Sequence, residues 1–529
     1  LIHSTSAQTV VSSLPPCPVA ADALAAIPRQ QTNPGRWQGE AWAPFVQALA
    51  GQGIEVHQSR ARTGNYLTDA GGLAYGLPHG VVIARSAEQI AAILRAAQEH
   101  CVPVTVRGGG LTTEGESVAF GGLLLDMTGM SQVISVDAEA LTVRTQAGIY
   151  WHLLAEELRR EGFDYLSAPL NLTSTVGGTL GVGGIDVNSA KYGCSADQAL
   201  ALQVVTPTGE IVECSDELNP ELFRRAILGY GQFGIITEAT LRIRRYTPIC
   251  MHYFYYDNLD AAMQDLIAID RSGMCDYSGI LTMMDAAITL LVAFDCQEEK
   301  GQGAGEREAR FMREMRPKLK GYGELRFSLK LAANYLWRPW RWREALFLLE
   351  RKRTLFPDLQ PAHHMQGDRM HDRTVIFSRA VWKHWGDKQM VIPDLAASSE
   401  KIGEAVRRGN KICRNFFPYY TLYIVGIRLI DAHRDHYELS AIPPDAQGWA
   451  YGCEFEPMFA GKEYSRDCLQ SFKNEIFDVG VELGCSYYRF GGMMKGYIRR
   501  ALGDAVVEKH LAMKRQADPA MILNRDVVF

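Results

Sequence analysis

From residue 37 onward the chain alternates between two apolar rhythms. WQGEAWAPFVQAL (37–49) repeats apolar residues at helical spacing and predicts a short amphipathic helix. VVIARS (81–86) reads as a strand. AEQIAAILRAAQEH (87–100) reads as an amphipathic helix, with Ser86 and Glu88 supplying its N-terminal cap. VPVTV (102–106), LLLDM (123–127), VISVD (133–137) and LTVRTQAG (141–148) are further strands. ALALQVVTPTGEIVEC (199–214) predicts a hairpin turned at Thr208-Gly209. NPELFRRAILGYG (219–231) follows as a helix and FGIITEATLRI (233–243) as a strand. Strands and helices alternating at these lengths imply βαβ units and an α/β domain. The character changes near residue 247, where MHYFYYDNLDAAMQDLIAI (251–269) gives a strand then a helix, and DAAITLLVAFDC (285–296) a strand of a second α/β layer. Residues 1–35, rich in Pro, Ala and Gln, read as a lightly structured leader.

Two glycine-rich stretches interrupt these rhythms. LNLTSTVGGTLGVGGIDVNSAKYG (170–193) carries Gly177, Gly178, Gly181, Gly183 and Gly184, five glycines in eight positions. Glycine serves where backbone takes φ > 0 or lies flat against a ligand. So dense a run is expected to break regular structure and to present a nest of amides to a diphosphate, with Ser174, Thr175 and Thr179 adding hydroxyls. A plain surface loop is the alternative for this stretch taken alone. Upstream, VPVTVRGGGLTTEGE (102–116) places Arg107, Gly108, Gly109, Gly110, Leu111, Thr112 and Thr113 directly after a strand, a second phosphate-facing pattern. Neither stretch is the G-x-G-x-x-G fingerprint or a Walker loop. Together they suggest a long dinucleotide lying across both.

At 529 residues the chain exceeds a single core, so two or three domains are expected. The formal net charge of −5 gives no sign of a nucleic-acid partner. No apolar run approaches the ~20 residues of a membrane span. Eleven cysteines without a C-x-x-C pair argue against a disulfide framework and for a reducing compartment. The sequon at Asn171 lies inside the presumptive ligand loop, so a cytoplasmic enzyme is expected; the chain starts at Leu1, which leaves a removed export signal open. The Trp- and Arg-rich run 334–356 reads as an amphipathic helix in a domain seam. HHMQGDRMHDR (363–373) lacks metal-ligand spacing, and no metal is expected.

The motifs HGVVIARSAEQIAAILRAAQEHCVPVTVRGGG, LLLDMTGMSQVISVD, TSTVGGTLGVGG and MKRQADPAMIL occur in this order. They resemble the FAD-linked oxidoreductases of the vanillyl-alcohol oxidase/p-cresol methylhydroxylase superfamily, and within it the cytokinin dehydrogenases. The resemblance is dense over 79–245 and returns over roughly the last 45 residues. It implies an α/β (α+β) fold: a PCMH-type FAD-binding domain of two α/β subdomains, plus a cap domain with an antiparallel sheet and flanking helices. The implied division is a leader and helix at 1–70, the FAD-binding domain at 71–247, a substrate or cap domain at 248–485 and a returning segment at 486–529. Ile185, Gly234 and Ile235 join the residues expected beside FAD; Gly231 stands equally well as a helix-ending glycine.

The chain departs from that family at informative places. In cytokinin dehydrogenases the first loop reads Arg-Gly-His-Gly-His-Ser, and its second histidine bonds the flavin. Here those histidine positions hold Gly109 and Leu111, so FAD is expected to be non-covalent. A tether from the cap, near His384 or Lys388, stays open. The family's proton-accepting aspartate falls at Leu170, with Asn171 beside it as an orienting group. Tyr488 and Arg489, with Tyr487, match a pair that stabilises phenolates in 4-alkylphenol-oxidising relatives, where the guanidinium is expected to favour an ionised tyrosine. Glu454 and Glu456, read at a helix–strand junction, are further acid/base candidates. The ending ILNRDVVF lacks the family's I-L-x-P-G, which puts its flavin contact in question. The expected function is removal of hydride from an activated C–H of a small aromatic alcohol, amine or alkylphenol to flavin N5, with oxygen or another acceptor reoxidising it. A redox-neutral or cyclising flavoenzyme and a silent flavin-binding protein are the rivals, and assembly is open between monomer and homodimer.

Overall fold

This computed structural model describes Gly39 and residues 41–283, 287–295, 305–323, 326, 369–370, 391–418, 420–428, 444–457, 464–489, 491, 495–525 and 527. The run 334–356, His384, Lys388 and all of 363–373 except a two-residue strand lie outside them. Trp42–Ala50 (α1) buries Phe45 and Leu49 completely. It starts later than its apolar pattern predicts because Gly39 takes φ 84°, outside helical space.

Gly80–Ile83 (β1) leads into Ala87–His100 (α2), where the Ser86 hydroxyl accepts from the Gln89 N–H at 3.2 Å. This is the N-cap the sequence signals. Val104–Arg107 (β2) and Leu123–Asp126 (β3) complete a parallel sheet in the order β1-β3-β2. Its apolar side packs Ile90, Leu94, Val104 and Leu125 into one core with Phe45.

The next strands are antiparallel, not βαβ. Val133–Asp137 (β4) and Thr142–Gln146 (β5) are joined by a connection too short for a parallel crossover. Trp151–Arg160 (α3) precedes the short strand Phe163–Tyr165 (β6). Beyond the turn-and-a-half of helix Val176–Leu180 (α4), Ala199–Val205 (β7) and Ile211–Ser215 (β8) form the expected hairpin. Helix Pro220–Ala226 (α5) then leads to Ile235–Arg245 (β9). The sheet runs β4-β5-β9-β7-β8, with β6 on β9. The α5 helix stops well before Gly231. Leu228 and Tyr230 turn to φ 52° so that their N–H groups reach Leu180 O and Gly181 O. A tertiary contact thus overrides a helical pattern.

The third sheet is seven-stranded and antiparallel. Ile249–Tyr256 (β10), Leu259–Ser272 (α6), Tyr277–Met283 (β11) and Ala287–Asp295 (β12) form one βαββ unit. Gly305–Glu314 (α7) and Arg369–Met370 (β13) intervene. Asp394–Ser398 (β14), Ser399–Phe416 (α8), Tyr420–Arg428 (β15) and Trp449–Pro457 (β16) repeat the unit. The order β13-β10-β12-β11-β15-β16-β14 is therefore two mirrored halves joined at β11 and β15. Strand β10 is buried along its whole length. Cys250, Phe254 and Tyr256 face the main core, while Met251, Tyr253 and Tyr255 face a second cluster. Such burial explains its unbroken apolar and aromatic spelling.

Helices Arg466–Leu483 (α9), Lys495–Leu502 (α10) and Asp504–Ala517 (α11) bring the chain back to the parallel sheet. The segment after α11 lies on β2: Val104 N–H donates to Ile522 O and Asn524 N–H to Val104 O, both at 2.8 Å. Lys514, 1 % exposed, donates from Nζ to Gln232 O, Asp518 Oδ2 and Leu523 O. No helix among the described residues is long and apolar enough to cross a membrane. Asp518→Ala leaves the Lys514 ammonium buried without its charge partner and is expected to cost about 3–5 kcal/mol. Removing the exposed Arg310–Glu314 pair by Arg310→Ala is expected to cost no more than about 1 kcal/mol. Urea unfolding midpoints of the two variants check the contrast.

Candidate functional site

The first glycine loop begins where β2 ends. An added Cβ at Gly108 would stand 2.1 Å from Thr175 Oγ1, and one at Gly109 2.8 Å from Thr173 O. The loop therefore lies directly on the second glycine stretch, and only hydrogen fits between them. Gly110 takes φ 69°, which disfavours any side chain. Gly109, Gly110, Leu111 and Thr112 line a cavity, and their N–H groups find no acceptor among the described residues. Consecutive unspent amides on a concave wall form an anion-binding nest.

The second stretch does not behave as its composition suggests. Thr175 caps α4, its Oγ1 accepting from Gly178 N–H at 3.4 Å. Val176 N–H goes to Ile149 O, and Gly177 N–H to Ala147 O at 2.7 Å. The amide nest expected here is thus spent inside the protein. What Gly177, Gly178 and Gly181 present to the cavity is bare backbone, joined by Ser174, Thr175, Thr179 and Ile185. Gly234 and Ile235 line the same cavity, with Gly231 and Tyr230 beside them.

Four sequence candidates stand elsewhere. The Arg107 side chain points away from the cavity: it donates to Thr68 O at 3.0 Å and Ser117 O at 3.2 Å and lies over the Tyr66 ring. It holds the loop from behind. Thr113 is 1 % exposed and does not line the cavity. Gly184 donates its N–H to the Tyr488 hydroxyl at 2.6 Å, outside the lining. Tyr487 is fully buried, its hydroxyl donating to Phe477 O at 2.5 Å, and takes no part in the cavity.

The far wall comes from the seven-stranded sheet and the segment after α9. Tyr488, Arg489, Glu454, Glu456 and Ile392 line it, together with Asn171 and Glu116. Glu454 and Glu456 sit within strand β16, not at a helix–strand junction. Arg489 donates to Asp394 Oδ2 at 3.0 Å and Glu454 Oε1 at 3.4 Å, so its charge is already opposed. The Tyr488 N–H donates to Asp394 Oδ1 at 2.6 Å. Burial pushes the Tyr488 phenol up despite Arg489, which reverses the expected ease of ionisation. Burial likewise raises the Glu454 carboxyl, against the pull of Arg489. Asn171 accepts from Thr173 N–H and Oγ1, and its buried Nδ2 has no acceptor among the described residues.

Sequence reasoning missed two members. Glu116 follows the first loop; its Oε2 accepts from Glu114 N–H at 2.8 Å, while Oε1 has no partner among the described residues. Burial, with Asp69 and Glu114 nearby, pushes its carboxyl up to about 8. A carboxyl so close to a glycine loop is the signal that could have found it. Asn524 lines the cavity as well, accepting from Val106 N–H and donating to Tyr230 O at 2.9 Å. The departed C-terminal motif therefore still reaches the site.

The space in the cleft, counted with the solvent at its open mouth, is about 1630 Å³. Free amides at one wall and glycine backbone along the floor suit FAD. Leu111 and its neighbours would hold the anionic part, and the backbone of Gly177 to Gly181 the flat part. Residues 78–215 match the model of the FAD binding domain family. The chain is 33% identical over 172 residues to D-lactate dehydrogenase from Anaerostipes hadrus, covering 31% of this chain and 36% of that protein. It is 34% identical over 175 residues to cytokinin dehydrogenase 2 from Arabidopsis thaliana, covering 33% and 35%. It is 29% identical over 218 residues to glycolate oxidase subunit GlcD from Bacillus subtilis (strain 168), covering 38% and 46%. The chain thus spans less than half the length of each of these relatives. Residues 78–215 form an FAD binding domain of the PCMH type, the module this chain shares with the FAD-linked oxidoreductases.

Proposed function

We propose that this chain is an FAD-dependent oxidoreductase that oxidises a hydroxyl- or amine-bearing C–H of a small, neutral or cationic substrate with aromatic character. Residues 71–247 and the returning end of 486–529 make the cofactor floor, and 248–485, with Tyr488 and Arg489, the substrate roof. Bound FAD supplies the two-electron acceptor, and oxygen or another small acceptor regenerates it.

One observation carries this reading: three carboxyls, Glu116, Glu454 and Glu456, line the same cavity as the glycine loops, and Arg489, which also lines it, is bonded to Asp394 and Glu454. Oxidation of an alcohol or amine releases a proton, and a carboxylate whose proton affinity burial raises above the ordinary is a better acceptor for it. We assign that task to Glu454, with Glu456 sharing the charge. Asn171 orients the substrate through its unpaired amide, and the rings of Tyr230 and Tyr488 receive its apolar part. Two relatives bear the names of a lactate and a glycolate enzyme. A free carboxylate substrate would find Arg489 already bonded to Asp394 and Glu454, so the hydroxy acids are disfavoured. With Leu111 in the loop, we propose that FAD is held without a covalent bond.

Mixing the anaerobic holoenzyme with aromatic alcohols and amines is expected to bleach its yellow band. Glu454→Gln is expected to slow bleaching on the order of 10²–10⁴-fold with flavin content unchanged. Equal rates in the variant, or no bleaching by any donor, would sink the assignment. Acid precipitation is expected to leave the colour in the supernatant; a yellow pellet rules out non-covalent binding.

Glu116 gives a test free of substrate. Its folded pKa of about 8 lies above the ordinary 4.5, so the folded state holds the proton more tightly. Its stabilising contribution is complete below 4.5 and is lost as pH rises through about 8. Glu116→Gln keeps the neutral shape. It is expected to match the parent in acid and to unfold at higher temperature above a pH of about 8. Parallel stability–pH curves for the two proteins would show that Glu116 does not titrate in this way.

A further inference from the structure

Cys250 and His252 lie two apart on β10, so both project from the same face of the strand. Glu308, on α7, reaches that face from a segment 56 residues away from His252. The Glu308 Oε1 lies 2.6 Å from His252 Nε2 and 3.5 Å from Cys250 Sγ, and Sγ lies 3.7 Å from Nε2. The thiol and imidazole are buried, and the Glu308 side chain is 20% exposed. None of the three lines the flavin cavity.

Such a triad can be read as a hydrogen-bonded histidine–carboxylate pair with a thiol alongside. Its dimensions also meet a second requirement. In tetrahedral zinc coordination, with Zn–S of ~2.3 Å and Zn–N or Zn–O of ~2.0–2.1 Å, neighbouring ligand atoms stand roughly 3.4–3.6 Å apart. Both sulfur distances are already near that spacing. Only the nitrogen–oxygen gap must open, by the swing of one glutamate on a surface helix. The partly exposed Glu308 side leaves a fourth position open to water, and a thiolate, an imidazole and a carboxylate are a donor set that zinc accepts.

We propose that Cys250, His252 and Glu308 form a three-ligand site for a zinc-class divalent ion that fastens α7 to the edge of the seven-stranded sheet. On binding, Cys250 loses its thiol proton to solvent and His252 coordinates through Nε2 as the neutral ring. The sequence reading weighed a metal only at 363–373 and expected none; Cys250, His252 and Glu308 share no local spacing motif.

The test uses the full-length flavin-loaded protein after chelator dialysis, titrated with Co²⁺ and then displaced with Zn²⁺. The expected result is saturation at one equivalent, with a thiolate-to-cobalt charge-transfer band that Zn²⁺ abolishes. Cys250→Ser is expected to remove the band, and His252→Ala or Glu308→Gln to weaken affinity at least roughly tenfold. As a measurement needing no variant, Zn²⁺ is expected to protect Cys250 from alkylation in peptide mapping. The proposal is overturned by absence of saturable binding, by unprotected Cys250, or by a signal that survives Cys250→Ser and vanishes in a His363→Ala, His364→Ala protein.

Discussion

Everything at the site depends on one steric condition: the loop after β2 must carry no Cβ where it touches the loop before α4. Gly108 meets Thr175 Oγ1, and Gly109 meets the Thr173 carbonyl, at distances no Cβ can occupy. That contact fuses segments from two different sheets into one floor. The first loop's amides find no acceptor among the described residues, while the second loop's Val176 and Gly177 amides are donated to Ile149 O and Ala147 O. The division of labour is sharp, one stretch giving donors and the other a flat surface.

The roof obeys a different rule, that of charge held out of water. Asp394, Glu454 and Arg489 form one network, and Glu114 pairs with the fully buried Lys473 close behind it. Isolated charges would be prohibitive at this depth, so the acids remain only because cations and backbone donors oppose them. Glu116 has no salt bridge among the described residues, and burial pushes its carboxyl up to about 8. Tyr488 belongs to both regimes: its N–H binds the roof aspartate, and its hydroxyl accepts from Gly184 of the floor.

Much of this was legible in the order of residues. The capped helix after Ser86, the hairpin at Thr208-Gly209 and the first glycine loop follow from local rules, and the structure keeps them. The failures arise where distant contacts decide. The helix predicted through Gly231 is cut short because Leu228 and Tyr230 bond across to α4. Arg107 looks like a phosphate ligand in sequence but is claimed by the carbonyls of Thr68 and Ser117. Tyr487 and Tyr488 are adjacent letters, yet one hydroxyl turns into the α9 core and only its neighbour reaches the cavity. Nothing local distinguishes them.

The segment around Asn524 has a consequence for assembly. Asn524 bonds β2 through Val106, and Lys514 ties α11 to Gln232, so residues made late in synthesis complete a floor begun some 400 residues earlier. A nascent chain that has released only the first two sheets carries the glycine loops without the strap that braces them. The floor is therefore complete only once this segment has folded back, and contacts across such sequence distances form slowly.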